Sequence, residues 1–471
     1  MSPILEGCLQ EQAVGVDIET CKRRMLDVDY DPLIFKPGLD PYLSEIRLIQ
    51  IATSKCTYVI DLFHVGAEAF SSIMRPLFEG DNTLKIFHNA KFDVKMMMYL
   101  LGWYDIKRIC CTMLISQVLS NGITMHKRKH SLKEAALRYL KIELDKEEQT
   151  SDWGTWELTE EQVLYAAKDA EILLHLCKAQ MKYVRNDRMG LDLRQIIKIE
   201  CDCAIAVARM ELDGVFVDRE LWDDADLELR AKYHELSLEL KLALGNEQMN
   251  LESPAQVLKE LKRLNIMVNG EPIANTNSKY LAPAARHYPV VALLLEHRGV
   301  AKLLSSYGNG IPGKKRKKNQ IFFLERIHPV TGRIHAEFGQ LLTDTGRFNC
   351  TKPNLQQLPN MDKVSFRRAF RGREGNSFVV VDMSQFEMRI LADLTGDKNL
   401  LKAFRMGGDI HIATAALMFD VDPLTIVAGK DAQGEKIKGP NYWMRNAAKS
   451  INFGEPIKLA EVKPGQNSGR S

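Results

Sequence analysis

Short runs rich in Val, Ile, Tyr and Phe ("AVGVDIET", "RLIQIAT", "TYVIDLF" and "LKIFHN") share the first 190 residues with segments of a different period. "KFDVKMMMYLLG", "SLKEAALRYLKI" and "TEEQVLYAAKDAEILLHLCKAQMKYV" space their apolar residues as helices do. Strand and helix periods alternating in this way predict an α/β domain, helices layered on a sheet. From about Leu191 to Tyr307 the pattern turns almost wholly helical, with Ser253 and Pro254 as cap and first-turn proline of one helix. The loop "YGNGIPGKKRKKNQ" follows. Strand-like "IFFLERI" and "GRIHAEF", then "SFVVVDMSQFEMRILADL", predict a third α/β unit from about residue 320, with a buried strand ending at Asp382.

Bulk properties limit the function classes. A chain of 471 residues, 45% of them hydrophobic, is long enough for about three packed domains. Lys and Arg number 64 against 61 Asp and Glu, a net charge of +3, so any nucleic-acid site must be local. Nine cysteines, without paired zinc spacing, predict reduced thiols. The start "MSPILEGCLQEQ" is not a secretory leader, and no run of about 18 apolar residues occurs. The expectation is an intracellular, cytoplasmic chain without a membrane partner.

Asp17 and Glu19 lie two apart on a predicted strand and leave the same face of its sheet. Alone, such a pair is commonplace on protein surfaces. Here the surrounding run is apolar, and paired buried carboxylates raise each other's pKa unless a cation neutralises them. "FHNAKFD" places Asp93 after a strand-to-helix turn, and "LYAAKDA" places Tyr165 and Asp169 four apart on one helix face. Thr159 and Gln162 form a capping box at the start of that helix. By itself the Tyr165–Asp169 pair reads better as a core tyrosine beside a surface aspartate. Together, four acids from one strand and two helices are the hard-oxygen set that Mg²⁺ or Mn²⁺ takes, and two such ions suit phosphodiester hydrolysis.

"VDIET", "HNAKFD" and "YAAKD" resemble the three motifs of the DEDD-type 3′–5′ exonucleases, tyrosine subclass, over about residues 12–185. The resemblance implies a ribonuclease H-like fold and two metal ions held by Asp17, Glu19, Asp93 and Asp169. Tyr165 would position the attacking water.

A second set of residues lies beyond. Asp382 ends an apolar run, a place for a metal-binding carboxylate or equally for a helix cap. "TGRFNCTKPNLQQLP" offers Arg347, Asn354 and Gln357, suited to phosphates or base edges. Arg445, Lys449 and Phe453 recur every four residues, two cations and a ring in one helical stripe. The run Lys314–Lys318 reads as a solvated loop or as a set of phosphate contacts.

These stretches, with "IECDCAIAVARMELDGVFVD", "LESPAQVL", "DMSQFEMR", "DIHIATAALMF" and "RNAAKSINFG", resemble the family A, DNA polymerase I-like polymerases over most of residues 195–454. The resemblance implies a right-hand polymerase organisation: an exonuclease domain at 1–190, a helical thumb at 191–319, a partial palm at 320–400 and partial fingers at 401–471, with a divergent tail from 455. It implies a metal at Asp382, exclusion of a ribose 2′-hydroxyl by Glu387, and an incoming deoxynucleoside triphosphate held by Arg445 and Lys449 under the Phe453 ring. Arg347, Asn354 and Gln357 would touch primer-template DNA. Met383 stands where the family usually has tyrosine. Ile457 and Lys458 replace its Tyr-Gly pair, and the 17 residues after Gly454 leave no room for a second metal-binding aspartate. No 5′-nuclease domain is expected ahead of a strand that starts near residue 13. The expectation is a 3′–5′ exonuclease on DNA 3′ ends with an incomplete polymerase site. Two alternatives stay open: a polymerase completed by a separately encoded C-terminal part, and a non-catalytic DNA-binding remnant.

Overall fold

The computed structural model describes residues 2–120, 129–144, 151–185, 192–358, 365–405, 407–430 and 436–460. The chain divides into two compact units, Met1–Phe378 and Val379–Ser471.

The first unit is built on β1 (Ala13–Lys22), β2 (Ser44–Ala52), β3 (Thr57–Asp61), β4 (Leu84–Phe87) and β5 (Ile109–Cys111), in the order β3-β2-β1-β4-β5. The β1–β2 and β2–β3 ladders are antiparallel; β1–β4 and β4–β5 are parallel. This mixed sheet is that of the ribonuclease H-like fold. The four strands expected from sequence all form. β5 escapes the sequence pattern because three residues show no period. Helix α1 (Pro3–Leu9) precedes the sheet, and α2 (Leu62–Val65) and α3 (Ala67–Glu79) lead from β3 to β4. Parallel strands need a crossover, and α4 (Ala90–Leu101) supplies the one between β4 and β5. After β5 come α5 (Thr112–Val118), α6 (Leu132–Leu140), α7 (Glu160–Arg185) and α8 (Leu193–Asp213).

Helix α8 lies in the core of this sheet domain. Its Ile197, Cys201, Ala204, Ala208 and Leu212 are buried in one cluster with Val14, Val16 and Ile86. Near its end, Glu211 is 3% exposed and binds the Lys91 ammonium at 2.7 Å and the Lys95 ammonium at 2.9 Å, both on α4. The same carboxylate accepts from the Phe338 N–H at 2.7 Å.

Next come α9 (Arg219–Leu244), α10 (Pro254–Arg263), α11 (Ser278–Leu281) and α12 (Pro289–Ser306). Ser253 caps α10 as its sequence predicts, its hydroxyl accepting from the Gln256 N–H. "IFFLERI" is not a strand: Leu324–Arg326 form a 3₁₀ turn, and Phe323 stacks on Trp222 at 4.1 Å and 10°. Its apolar residues answer to a helical cluster around Trp222, not to a pleated sheet. Apart from isolated bridges, the remaining strand structure described in this unit is two short antiparallel ladders, Met267–Val268 with Glu271–Pro272 and Glu337–Gly339 with Asn349–Thr351.

The second unit holds α13 (Phe386–Thr395), α14 (Lys398–Arg405), α15 (Ile410–Phe419), α16 (Pro423–Ile426) and α17 (Tyr442–Ala460), with a small hairpin of Val427–Lys430 and Lys436–Lys438. The buried strand expected to end at Asp382 is absent. Residues 377–383 form neither strand nor helix, and Val379, Val380 and Val381 are each at least 80% exposed. The apolar run supplies a strand's side chains, yet no described strand lies beside it to complete a ladder. Helix α17 passes through the expected change of character at Glu455 and ends at Ala460. No helix among the described residues is long and apolar enough to cross a membrane, and the nine cysteines are free thiols.

Candidate active site

The site arises where β1 outruns its parallel neighbour. β4 pairs with β1 only from Ala13 to Gly15, so Asp17 and Glu19 lie past that ladder while β2 still pairs with them on the other side. Leaving β4, the chain turns at Asn89, whose φ of 65° is left-handed, and enters α4. The first turn of α4 carries Asp93, 2% exposed. The third wall is α7, which starts at the predicted capping box: the Gln162 N–H donates to the Thr159 hydroxyl at 3.2 Å, and the Thr159 N–H to the Gln162 amide oxygen at 3.0 Å.

Gly15 fixes how near α7 comes. A Cβ there would run into the carbonyl oxygen of Ala170, so helix and strand backbones meet with no side chain between them. Asp169, next to Ala170, is thereby brought to β1. Asp17, Glu19, Asp93, Tyr165 and Asp169 all line one cavity of about 730 Å³.

Burial and mutual repulsion dominate the electrostatics. Asp17 is pushed up to about 8, first by desolvation and then by the charge of Asp169. Desolvation and the neighbouring acids raise Glu19 and Asp93 well above the carboxylate range. Tyr165 is also raised, by burial and by the Asp169 carboxylate to which its hydroxyl bonds, so it keeps its proton at neutral pH. None of the dominant influences on Asp17, Glu19 or Asp93 is a lysine or arginine. That donor set fits a hard divalent cation. No group of three or more His, Cys, Asp or Glu among the described residues is drawn in tightly enough to hold a metal as it stands.

The second set of residues is not gathered in this way. In the first unit, Arg347 and Gln357 are exposed, and the Asn354 side chain accepts from the Gln356 N–H at 3.0 Å, closing a local turn. The run Lys314–Lys318 is exposed, with Lys314 paired to Glu252 at 3.2 Å and Arg316 to Glu325 at 2.7 Å. In the second unit, Asp382 and Glu387 are exposed. Arg445, expected to hold phosphates, is 8% exposed, its guanidinium donating to Asp409 at 2.8 and 3.0 Å. Lys449 is half-buried on the same helix, and the Phe453 side chain lies outside the described residues.

Sequence reasoning left most of the cavity lining unassigned, His88, Asn89 and Leu342 among it. His88 and Asn89 reach the cavity from the β4–α4 turn, within the quoted "HNAKFD". Leu342 reaches it from beyond residue 320, and no local pattern signalled that.

Comparison with known proteins agrees with both halves. The family described as DNA polymerase family A matches residues 219–455, and the 3′-5′ exonuclease family matches residues 36–184. The second match spans Asp93, Tyr165 and Asp169 but starts after Asp17 and Glu19. DNA polymerase I of Pseudomonas aeruginosa is 30% identical over 91% of this chain and 48% of its own length. DNA polymerase I of Aquifex aeolicus is 29% identical over 87% of this chain and 66% of its own. The chain thus spans about half of the Pseudomonas relative. Among solved structures, the POL domain of Pol1 from M. smegmatis, in complex with DNA primer-template and dNTP, shares the fold with a TM-score of 0.66 and 22% identity, over 97% of this chain and 70% of that one. With half of its length matched by the family's own pattern, this chain belongs to DNA polymerase family A.

Proposed function

We propose that this chain is a 3′–5′ exonuclease that trims DNA 3′ ends by phosphodiester hydrolysis in the carboxylate cavity. One observation carries the reading: Asp17, Glu19, Asp93, Tyr165 and Asp169, drawn from β1, α4 and α7, line a single cavity. Its volume of about 730 Å³ lies within the range of small-ligand sites and admits a nucleotide. Asp17, Glu19, Asp93 and Asp169 are the residues that would hold two Mg²⁺ or Mn²⁺ ions. Bound there, such ions supply Lewis acidity to the attacking water and the leaving oxygen. Tyr165 keeps its proton, so its hydroxyl orients the water and does not act as the base. The Gly15–Ala170 contact holds Asp169 at fixed distance from β1.

In this reading, residues 1–190 carry the exonuclease site, with α8 of the following segment completing their core, and the rest of 191–319 is the thumb, 320–400 palm and 401–471 fingers, acting on primer-template DNA and single-stranded ends. Template-directed polymerisation of deoxynucleoside triphosphates is the second reading. The family A match over residues 219–455 favours it. The exposed Asp382 and the Arg445–Asp409 pair count against a ready triphosphate site. The test is direct: with Mg²⁺, the protein shortens a 5′-labelled single-stranded oligonucleotide from its 3′ end, and Asp17→Ala does not. A wild-type protein that leaves the oligonucleotide intact overturns the reading.

A further inference from the structure

We propose that Leu342 is a substrate-binding residue of the carboxylate cavity: its side chain is the apolar surface on which the base of the 3′-terminal nucleotide packs. The inference rests on the exonuclease reading and deepens it.

The other named walls come from the sheet domain, but Leu342 comes from the connection between Glu337–Gly339 and Asn349–Thr351. It is 58% exposed. A single exposed leucine needs no explanation, but this one is held in place by a built segment. Gln340 is buried, and its amide donates to the Glu200 carbonyl at 2.9 Å and to the Glu200 carboxylate at 2.8 Å. One step earlier, Phe338 is tied to Glu211. Leu341 takes a left-handed φ of 55°, a conformation that costs a leucine about 1–2 kcal/mol. Gly339 has no Cβ, and one placed there would run into the side chains of both Asn349 and Leu342, so Leu342 lies directly over this bare backbone. The segment thus anchors one residue, strains the next and then presents a hydrophobic side chain to solvent at the mouth of an acidic cavity.

A ligand suited to that arrangement brings something for each part. The carboxylates, with their cations, take a phosphodiester; the leucine takes a flat apolar face. The end of a DNA strand carries both, and every base has such a face, so the contact tolerates any sequence.

The experiment measures trimming of single-stranded oligonucleotides in Mg²⁺, with either a natural or an abasic 3′-terminal nucleotide. Leu342→Ala is expected to raise KM about 5- to 10-fold on natural ends, with kcat within about twofold, and Leu342→Met is expected to restore KM. On abasic ends, wild type and Leu342→Ala are expected to coincide, because the base on which Leu342 acts is missing. Gly339→Ala, whose methyl presses on Leu342 and on Asn349 without removing either, is expected to reproduce the natural-end defect and to leave abasic ends unaffected. Unchanged KM for Leu342→Ala in a protein that trims, or an equal penalty on abasic ends, overturns this inference and leaves the exonuclease reading intact. A wild type that trims neither substrate overturns both.

Discussion

Asp17 and Asp382 follow nearly interchangeable stretches, "VGVD" and "VVVD", and end in opposite surroundings. Asp17 lies on the central strand of a five-stranded sheet, under α7 and beside α4. Asp382 follows valines that face solvent, in a segment without a ladder. A β-branched run ending in an acid therefore specifies no site. Strand neighbours do, by holding the acid against other elements that bring their own charges. The two arginines expected to serve DNA and nucleotide divide similarly: Arg347 is exposed, while Arg445 is buried against Asp409.

The sharpest way to break this contrast is at the two aspartates. Asp17→Ala is expected to lower trimming about 1000-fold, measured as single-turnover release of the terminal nucleotide, whereas Asp382→Ala changes it less than about twofold. Equal losses would remove the distinction. Gly15→Ala removes no acid but pushes α7, and Asp169 with it, off β1. A loss of about 100-fold is expected from misplacement alone, and wild-type activity in this variant would show that the backbone contact does not set the spacing.

A smaller effect belongs to the second unit. Arg445→Ala removes the guanidinium from Asp409, 8% exposed at its side chain, whose other oxygen still accepts from the His411 N–H at 3.0 Å, and is expected to destabilise that unit by about 2 kcal/mol. Trimming is expected to stay within about twofold. Denaturant melting beside the nuclease assay checks both; a stability change under about 0.5 kcal/mol would mean that the pair is not structural.

The smallest expected change is a pH effect on the first unit. The Asp17 carboxyl is raised in the folded state to about 8, so folding favours its protonated form. That contribution is complete below the ordinary carboxylate pKa and is lost as pH rises towards 8. In a chelator, the melting temperature is therefore expected to fall between pH 5 and 8, following about 8 for Asp17. Added Mg²⁺ is expected to flatten the profile, and an unchanged slope with metal would separate the acids from the cation site.

Much of the carboxylate site was legible because each part had a local signature. The i, i+2 acids gave a shared strand face, the i, i+4 Tyr165–Asp169 pair a shared helix face, and Thr159 with Gln162 the start that fixes the helix's rotation. What was not legible depends on contacts between distant parts. Nothing near Leu342 announces a cavity formed largely by residues 17–169. Nothing near "FVVVD" tells whether a partner strand lies alongside. "IFFLERI" shows the same limit, since its apolar residues fit the surface around Trp222 as well as they fit a sheet.

The position of α8 bears on how this molecule can be dissected. A cut near residue 190, where the sequence changes character, would take from the N-terminal piece Ile197, Cys201 and Leu212, which lie in its core. It would also leave Lys91 and Lys95, on the helix that carries Asp93, without the Glu211 carboxylate. A fragment ending there would expose an apolar seam and two uncompensated ammonium groups on the helix that carries Asp93. One ending after Asp213 would keep that helix's counter-charge, so a minimal nuclease includes the whole of a segment whose sequence points to the polymerase.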